Sequence, residues 1–524
     1  GSMPGANDPP VTLPAPAGRF TPAACYQAMK AHDIRFDGRF FVGVSSTRIY
    51  CRPICRVKLP RFENCSFYVS AAAAEAAGYR PCLKCRPELA PGFAASEASA
   101  KLAQTAARFI EDAIAGIGGA AKCDADHPLS AIAARVGVSD RHLRRIFQAE
   151  FGVSPVQYAQ THRLLLAKRL LTDTALPVAE VAFASGFSSV RRMNALFSER
   201  YGFAPTRLRH ILAEAGGASA AVAENARCFT FSLAYRAPLD WPALLAFLEQ
   251  RAIAGVEAVS DGRYRRILRH VRSRDGQAIC SWLQVADQAH RNALQVTLSP
   301  AFAPVIAGVL SQVRRVFDVH ADPWEIGAAL GRLAQGSRGL RLPGAFDGFE
   351  LAVRAVLGQQ ITVAAARTLA TRFVAAFAEP IEFEVTPPFT DLSVAFPTAS
   401  RVAALMPAEL IRLGIVAARA QALIALAQKM VAGELDLSPA ANLESSCAAL
   451  QSIKGIGPWT AHYIAMRALS WPDAWPPHDA GLLKALGLPN TARGWRAAEA
   501  IAEPWRPWRS YALMHLWNAQ EKTA

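Results

Sequence analysis

Four cysteines in two close pairs constrain the N-terminal part of this chain more than any other feature. The first pair is Cys51 and Cys55, the second is Cys82 and Cys85, and the spacer runs from position 56 to 81. Two such pairs can bring four thiolates to the corners of one tetrahedron, which is the arrangement that Zn²⁺ prefers. A tetrathiolate zinc site usually has a structural role, and a bound metal would stabilise a unit of ~70 residues, whose core is thin. The spacing therefore predicts a small zinc domain and leaves its chemistry open.

The charge balance indicates what the chain binds. Its 524 residues carry a formal net charge of +15, although only 19% of them are charged. The basic excess lies in ordered-looking segments, so nucleic acid is the expected partner, although a membrane surface would also attract it. No apolar run approaches the ~20 residues of a transmembrane helix, and no signal-peptide pattern opens the chain. Six of the ten cysteines are scattered singly, which favours a reducing cytoplasm over a disulfide framework.

The succession of patterns predicts a multidomain protein that is predominantly α-helical with α+β parts. Strand-like segments alternate in one block after the middle of the chain, and helical periodicity dominates elsewhere. The predicted segments are a disordered leader (4–18), a zinc domain (19–90), a helical connector with a double helix-turn-helix domain (91–210), a linker (211–226), an α+β domain (227–325) and an all-helical domain (326–524).

Two similar segments predict a pair of helix-turn-helix units. Each turn falls at a glycine, Gly137 or Gly186, and Phe147-Gln-Ala-Glu-Phe-Gly is echoed by Phe197-Ser-Glu-Arg-Tyr-Gly. One such turn also occurs in ordinary helical bundles, but two in tandem favour DNA reading. The exposed positions of the two second helices either read base edges or hold phosphates, and the sequence does not divide these roles. They are Arg141, Arg144, Arg145, Ser188, Arg191 and Arg192.

Longer motifs around the cysteines resemble a known family. Arg48-Ile-Tyr-Cys51-Arg-Pro-Ile-Cys55-Arg and Gly78-Tyr-Arg-Pro-Cys82-Leu-Lys-Cys85 resemble the N-terminal domain of the Ada adaptive-response family, and the tandem turns resemble the AraC-type DNA-binding domain. The resemblance implies that Cys51 is both a zinc ligand and a nucleophile. It would take a methyl group, once and irreversibly, from a methylphosphotriester in DNA. Arg56 and Lys58 would hold flanking phosphates.

Zinc chemistry is consistent with this role. One Zn²⁺, held by Cys51, Cys55, Cys82 and Cys85, would be structural and would also keep the nucleophile deprotonated. Zn²⁺ with four thiolates is a dianion, and methylation of one sulfur leaves a monoanion. Repulsion of DNA phosphate would fall, so we expect methylation to strengthen DNA binding.

A second constellation stands near the C-terminus. Ile453-Lys-Gly455-Ile-Gly457-Pro-Trp459 predicts a helix-hairpin-helix turn whose glycines let the backbone approach phosphate. With Asp479 downstream it resembles the helix-hairpin-helix glycosylase superfamily. Leu357-Gly-Gln-Gln-Ile-Thr-Val and Pro507-Trp-Arg-Ser-Tyr narrow the resemblance to AlkA-type alkylbase DNA glycosylases, which covers about 227–520. It implies that Asp479 is the catalytic carboxylate, although an Asp in this position also simply caps a helix.

The same resemblance implies further site residues. Trp459, Tyr463 and Trp517 match base-pocket positions, where stacking on an electron-poor flipped base is favourable, although aromatic residues also pack in ordinary cores. The residues that would contact DNA are Gln359, Gln360, Gly455 and Gly457.

Several positions depart from the related patterns. Trp459 stands where lyases of the superfamily carry a lysine, so no Schiff base can form and a monofunctional glycosylase is expected. Gln360 replaces a leucine wedge, and Ala480 replaces a tyrosine of the pocket wall. No cysteine follows Cys447, so an iron–sulfur cluster is not expected. The Pro-Cys-His-Arg motif of alkylguanine methyltransferases does not occur.

Together these resemblances imply a bifunctional DNA-alkylation response protein. Its activities would be single-turnover methylphosphotriester methyl transfer and DNA-3-methyladenine glycosylase activity, and methylated Cys51 would turn it into a transcriptional activator. Expected partners are damaged and promoter double-stranded DNA and also RNA polymerase, with no membrane, and the expected location is the cytoplasm, on the nucleoid. Two alternatives stay open: a repair enzyme with DNA-tethering domains, and a regulator with a vestigial glycosylase.

Overall fold

The structure is a computed structural model that describes residues 20–92, 98–115, 130, 132–133, 137–214, 228–272 and 275–521. These residues form two units, the first ending at Glu214 and the second starting at Cys228. Sheets occur in two places and helices fill the rest, which confirms the predicted multidomain, predominantly helical fold with α+β parts. The predicted leader (4–18) lies outside the described residues.

The first part of the first unit is a small sheet with short helices. Its strands have the spatial order β3-β1-β2-β4, in which β1 pairs antiparallel with β3 and β2, and β2 pairs parallel with β4. Because β2 ends at Cys51 and β4 leads directly into Cys82, the sheet brings the two cysteine pairs together. The elements are α1 (Pro22–Lys30), β1 (Phe41–Val44), β2 (Ile49–Cys51), β3 (Cys65–Tyr68), α2 (Ala71–Ala76) and β4 (Arg80–Pro81).

Six helices are described in the rest of the first unit. Ser139 and Ser189 each cap a helix through the side-chain oxygen, as the sequence indicates for Ser139, and each of these helices ends at a glycine with positive φ. The helix predicted to precede Gly137 in the first helix-turn-helix unit lies mostly outside the described residues. The helices are α3 (Ala98–Ala115), α4 (Asp140–Phe151), α5 (Pro155–Asp173), α6 (Val178–Ala184), α7 (Val190–Tyr201) and α8 (Pro205–Glu214).

The end of α8 differs from the predicted linker. The linker was expected from residue 211, but the helix continues to Glu214 because the amphipathic pattern that buries Leu208 extends past the predicted boundary. Residues 215–226 of the predicted linker lie outside the described residues.

The second unit begins with an antiparallel sheet of five strands in the order β5-β9-β8-β7-β6. Alternate residues of the first strand are buried, which is the period-2 pattern of a sheet with one face on a core. The elements of this part are β5 (Phe229–Ala234), α9 (Trp241–Arg251), β6 (Glu257–Ser260), β7 (Arg263–Val271), β8 (Ala278–Gln288), β9 (Ala293–Leu298), α10 (Ile306–Val316) and α11 (Pro323–Leu330).

Helices form the remainder of the second unit around one large apolar core. The predicted helix-hairpin-helix turn joins the helix Leu443–Gln451 to the helix Pro458–Ala468. None of the helices in the described part of the chain combines the length and apolar character needed to cross a bilayer. The helices are α12 (Gly348–Leu357), α13 (Val363–Phe377), α14 (Ala399–Ala403), α15 (Pro407–Ile411), α16 (Ala417–Val431), α17 (Leu443–Gln451), α18 (Pro458–Ala468), α19 (Ala480–Ala485), α20 (Ala492–Ala502) and α21 (Arg509–Glu521).

Candidate functional site

The four predicted cysteine ligands lie together. The Sγ atoms of Cys51, Cys55, Cys82 and Cys85 are all within 4.8 Å of one another. Sulfurs placed about 2.3 Å from a tetrahedral Zn²⁺ would be about 3.8 Å apart, so a small contraction of this cluster gives the zinc geometry. Hydrogen bonds among the thiols, first with Cys55, raise the pKa of Cys51, and the bond from Cys51 lowers the pKa of Cys82. Such thiols share protons and ionise together only around a cation, so this donor set fits zinc.

One backbone hydrogen bond distinguishes Cys85 from the other three sulfurs. The N–H of Arg52 donates to Cys85 Sγ at 3.3 Å. Among the residues that the structure describes, no backbone N–H lies in hydrogen-bond geometry to the sulfurs of Cys51, Cys55 and Cys82. A donated hydrogen bond stabilises thiolate charge and so lowers its nucleophilicity. Cys85 is therefore the sulfur whose electrons are most engaged, although it is more exposed than Cys51, which is 6% exposed.

Arg52, one of the basic residues beside the cysteines, is buried instead of facing solvent. Its guanidinium donates to Asp37 through Nε at 2.9 Å and to the carbonyl oxygen of Cys85 at 3.1 Å. A second bond joins its Nη2 to the other carboxylate oxygen of Asp37. Arg52 therefore supports the loop that carries the second cysteine pair.

The predicted DNA-binding residues of the first unit are at the surface. Arg56 and Lys58 are exposed in the segment after Cys55. The predicted residues of the two second helices are exposed as well: Arg141, Arg144 and Arg145 on α4, Arg191 and Arg192 on α7, and Ser188 just before α7. Seven cations on exposed positions form the electrostatic surface expected of a DNA-binding unit.

Asp479 caps a helix and also contacts a residue of the predicted base pocket. It is 6% exposed, and its Oδ1 accepts the backbone N–H of Leu482 at 2.6 Å, so it caps α19. Its Oδ2 accepts the indole Nε1–H of Trp459 at 2.7 Å. One oxygen thus fixes the carboxylate to the helix, and the other is held against the predicted aromatic pocket.

The predicted pocket residues lie together. Trp459 and Tyr463 are one turn apart on α18, and their rings stack with centroids 5.3 Å apart and planes 7° apart. The ring centroid of Trp517 on α21 lies 6.2 Å from that of Tyr463. Gly481 leaves room for the side chains of Asp479 and Trp517, because a Cβ at position 481 would lie 3.2 Å from Asp479 Oδ1 and 4.0 Å from Trp517 Nε1. All three aromatic rings are partly exposed, unlike residues of the adjacent core.

A buried arginine polarises the pocket tyrosine. Arg467 Nη1 donates to the Tyr463 hydroxyl at 3.1 Å, while its Nε and Nη2 donate to the carbonyl oxygens of Pro343 and Gly344. Burial opposes ionisation of Tyr463, but the guanidinium groups of Arg467 and Arg251 outweigh it and lower the pKa of Tyr463. The sequence motif did not single out Arg467; its i+4 spacing from Tyr463 on one helix face was the available signal.

The turn between α12 and α13 presents the two predicted glutamines differently. The side chain of Gln359 donates to the carbonyl oxygen of Gly455 and to the hydroxyl of Thr460, both at 3.0 Å, so it fastens the turn to the hairpin. Gln360 is exposed at the tip with a φ of +57°. The hairpin glycines are also exposed, Gly455 has a φ of +98°, and Gly457 caps α18.

Comparisons with protein families match the whole succession of parts. The matching families are described as the metal binding domain of Ada (residues 24–88), a helix-turn-helix domain (132–211), the AlkA N-terminal domain (230–347) and an HhH-GPD superfamily base excision DNA repair protein (353–508). These matches confirm the resemblances drawn from the sequence motifs.

Curated relatives cover either the whole chain or its halves. A Mycobacterium tuberculosis protein named "Probable bifunctional transcriptional activator/DNA repair enzyme AlkA" is 36% identical over 506 residues, which are 95% of this chain and 96% of the relative. Escherichia coli "DNA-3-methyladenine glycosylase 2" is 37% identical over 55% of this chain and 97% of its own. Escherichia coli "Bifunctional transcriptional activator/DNA repair enzyme Ada" is 32% identical over 35% of this chain and 48% of its own.

Proposed function

The chain belongs to the family of bifunctional transcriptional activator/DNA repair enzymes of the AlkA type, and from that premise we propose two activities for it. The first is a single transfer of a methyl group from a DNA methylphosphotriester to Cys51, which converts the protein into a transcriptional activator. The second is hydrolytic removal of alkylated purines such as 3-methyladenine, with Asp479 as the catalytic carboxylate. Both would act on chromosomal DNA in the cytoplasm.

The four-sulfur cluster carries the proposal for Cys51. Its Sγ lies within 4.8 Å of the sulfurs of Cys55, Cys82 and Cys85, inside the segment that matches the metal binding domain of Ada. The resemblance of the motif around Cys51 to that family selects this sulfur as the acceptor. A bound Zn²⁺ would keep the thiol deprotonated at neutral pH. Cys51 Sγ would attack the methyl carbon, forming the S–C bond as the C–O bond breaks, and the phosphodiester would leave as its stable anion.

Loss of one negative charge at the cysteine cluster would link repair to regulation. The unmethylated cluster repels DNA phosphate, whereas Arg56 and Lys58 attract it nearby. After methylation the attraction would dominate, so the two helix-turn-helix units would hold promoter DNA long enough to recruit RNA polymerase. The exposed cations of α4 and α7 support this step.

The contact between Trp459 and Asp479 carries the proposal for base excision. The carboxylate is buried and fixed at both oxygens, and Oδ2 accepts the indole N–H of Trp459, whose ring stacks on Tyr463. A flipped alkylated purine is cationic and electron-poor, so stacking on these rings is favourable. Asp479 would stabilise the positive charge that develops on the sugar as the base leaves. A cationic base leaves readily, so one carboxylate suffices.

The glycosylase is proposed to be monofunctional. Trp459 follows the hairpin where the lyases of the superfamily have their lysine, so the site offers no amine to the sugar at that position. Ala480, which is exposed beside Asp479, leaves the pocket wall more open than a tyrosine would. Bulkier alkylated purines are therefore expected substrates as well.

Intact-mass analysis tests the methyl-acceptor proposal. After incubation with DNA that contains methylphosphotriesters, we expect a gain of one methyl group, which peptide mapping assigns to Cys51. Cys51→Ala should abolish the gain, and Cys65→Ala, which changes a cysteine outside the cluster, should keep it. A methyl group on another residue, or none, would refute the assignment. A promoter reporter can be measured in cells that carry Cys51→Ala or wild-type protein. Equal reporter activity in both would favour the alternative, a repair enzyme whose zinc and helix-turn-helix domains only tether it to DNA.

Release of 3-methyladenine from alkylated DNA tests the glycosylase proposal. Asp479→Asn keeps an oxygen to cap α19 but loses the charge, so base release should fall by at least about 100-fold. Asp322→Asn is the matched control, because Asp322 also caps a helix through its side chain. Wild-type protein that releases no base would instead support a vestigial glycosylase.

A further inference from the structure

One buried carboxylate, Glu75, joins the cysteine domain to the second helix-turn-helix unit. It lies on α2, is 4% exposed and accepts hydrogen bonds from two tyrosines that are distant in sequence. The hydroxyls of Tyr50 and Tyr201 donate to its Oε1 at 3.0 and 3.1 Å. Arg200 Nη1 donates to its Oε2 at 3.3 Å. A carboxylate with several donors in a buried site holds its surroundings in one arrangement.

The hydrogen bonds of Glu75 with Tyr50, Tyr201 and Arg200 form a network, and on one side this network reaches the cysteine cluster. Tyr50 precedes Cys51 on β2, and its carbonyl oxygen accepts the N–H of Cys82 at 3.0 Å. The backbone of Tyr50 is thus held between the first cysteines of the two pairs. A rearrangement among the four sulfurs would therefore reach Tyr50, which is completely buried and has no room to absorb it locally.

On the other side the network reaches a DNA-reading helix. Tyr201 is the last residue of α7, and Arg200 precedes it; the same helix carries Arg191 and Arg192 in its first turn. Arg200 also donates to Gln160 of α5 at 3.2 Å, which fixes the end of α7 to the long helix. A shift of Glu75 would therefore move or tilt α7 as a rigid rod, because a helix transmits displacement along its length.

We propose that Glu75 couples the chemical state of Cys51 to the DNA-reading position of α7. The inference rests on the proposed methyl transfer to Cys51. Methylation would then change DNA binding in two ways: through the loss of charge at the cluster, and through a short-range structural route by way of Glu75. Charge loss acts on any DNA through phosphate attraction, whereas the Glu75 route acts on the second helix-turn-helix unit alone. The network therefore contributes to the methylation-dependent gain in promoter affinity, with Glu75 as a positioning residue.

The test compares promoter affinity before and after methylation. Tyr201→Phe removes one hydroxyl from the network, and Glu75→Gln weakens all of its bonds. Each variant should accept one methyl group by intact mass, but its gain in promoter affinity on methylation should be at least about 5-fold smaller than that of wild type. Tyr158→Phe is the matched control, because Tyr158 donates to Glu111 at 2.5 Å within the helical part alone. Its gain should equal that of wild type.

Hydrogen exchange gives a second readout in wild-type protein. Methylation should change the amide exchange of α7 in wild type and in Tyr158→Phe but not in Tyr201→Phe. An unchanged affinity gain in both Tyr201→Phe and Glu75→Gln would overturn the coupling. Wild type that takes up no methyl group would overturn the methyl-acceptor proposal instead, and the mass measurement distinguishes the two failures.

Discussion

The indole Nε1–H of Trp459 donates to Oδ2 of Asp479 over 2.7 Å, so an aromatic residue of the predicted base pocket also orients the predicted catalytic carboxylate. A hydrogen bond to a charged group is worth about 1.5–3 kcal/mol, more than a bond between neutral groups. The two sequence patterns that predicted the pocket and the carboxylate therefore describe one site.

Trp459→Phe separates these two roles. Phenylalanine keeps a ring for stacking but cannot donate to Asp479, so we expect kcat for 3-methyladenine release to fall by about 10- to 100-fold with little change in KM. Trp324→Phe is the control, because it also removes an indole hydrogen bond, to the carbonyl oxygen of Ala237. An equal loss of kcat in both variants would show that the effect is not local to Asp479.

Metal removal should affect the first unit selectively. Cys82→Ser should remove bound zinc and lower the free energy of unfolding of that unit by more than about 3 kcal/mol, because metal binding contributes directly to folding. Metal analysis with thermal unfolding measures both quantities, and we expect one zinc per wild-type chain. Cys65→Ser changes a cysteine outside the cluster and should retain the metal. Full zinc content in Cys82→Ser would contradict the four-cysteine site.

The buried Glu75 predicts an unusual dependence of stability on pH. Burial, opposed by Arg200, raises its pKa from 4.5 to about 7. A raised acid pKa stabilises the fold fully below the unfolded value, and this stability is lost as the pH rises through the folded value. Between about pH 4.5 and 7, wild type should lose up to about 3 kcal/mol of unfolding free energy relative to Glu75→Gln.

Glu88 provides the opposite control for this measurement. Burial raises its pKa, but Lys168 and Arg86 outweigh burial and lower it. Its stabilising contribution is present above the unfolded pKa and is lost as the pH falls. Denaturant unfolding of Glu88→Gln should therefore differ from wild type mainly at neutral pH, and the difference should shrink under acid. Parallel pH curves for wild type and Glu75→Gln would contradict the raised pKa of Glu75.

Gln360 is predicted to limit the efficiency of base flipping. Its exposed position at the tip between α12 and α13 suits insertion into a base stack, but its amide is costly to bury there. Gln360→Leu should raise affinity for DNA with an abasic analogue by about 3- to 10-fold, and Gln360→Ala should lower it. Leucine and alanine carry a Cβ, as glutamine does, so neither substitution changes the backbone strain of a φ of +57° at position 360. Gln428→Leu, at an exposed helical position, should have no effect.

Borohydride trapping checks the monofunctional mechanism. A lyase forms a Schiff base with the sugar, which borohydride reduces to a stable protein–DNA adduct. With Trp459 after the hairpin, we expect no adduct on alkylated DNA under conditions in which base release is complete. A lysine-bearing lyase of the superfamily serves as the positive control. A trapped adduct would identify an unexpected amine nucleophile.

The sequence predicted what depends on local spacing and missed what depends on tertiary contacts. The cysteine pairs, the glycine turns and Asp479 each lie in a short motif, and the structure brings each group together. Arg52 directly follows Cys51, and nothing near it in sequence indicates its pairing with Asp37. Glu75 lies in an alanine-rich helix and gains its partners from Tyr50 and Tyr201, which are 25 and 126 positions away.

The partners of Glu75 also determine how this chain can be divided for experiments. A fragment that stops soon after Cys85 would contain every cysteine ligand, yet of the donors to Glu75 it would keep Tyr50 and lose Thr161, Arg200 and Tyr201. The shortest N-terminal piece that retains all donors to Glu75 must include Tyr201. The cloning boundary for an isolated methyl-acceptor module therefore lies after the second DNA-reading helix.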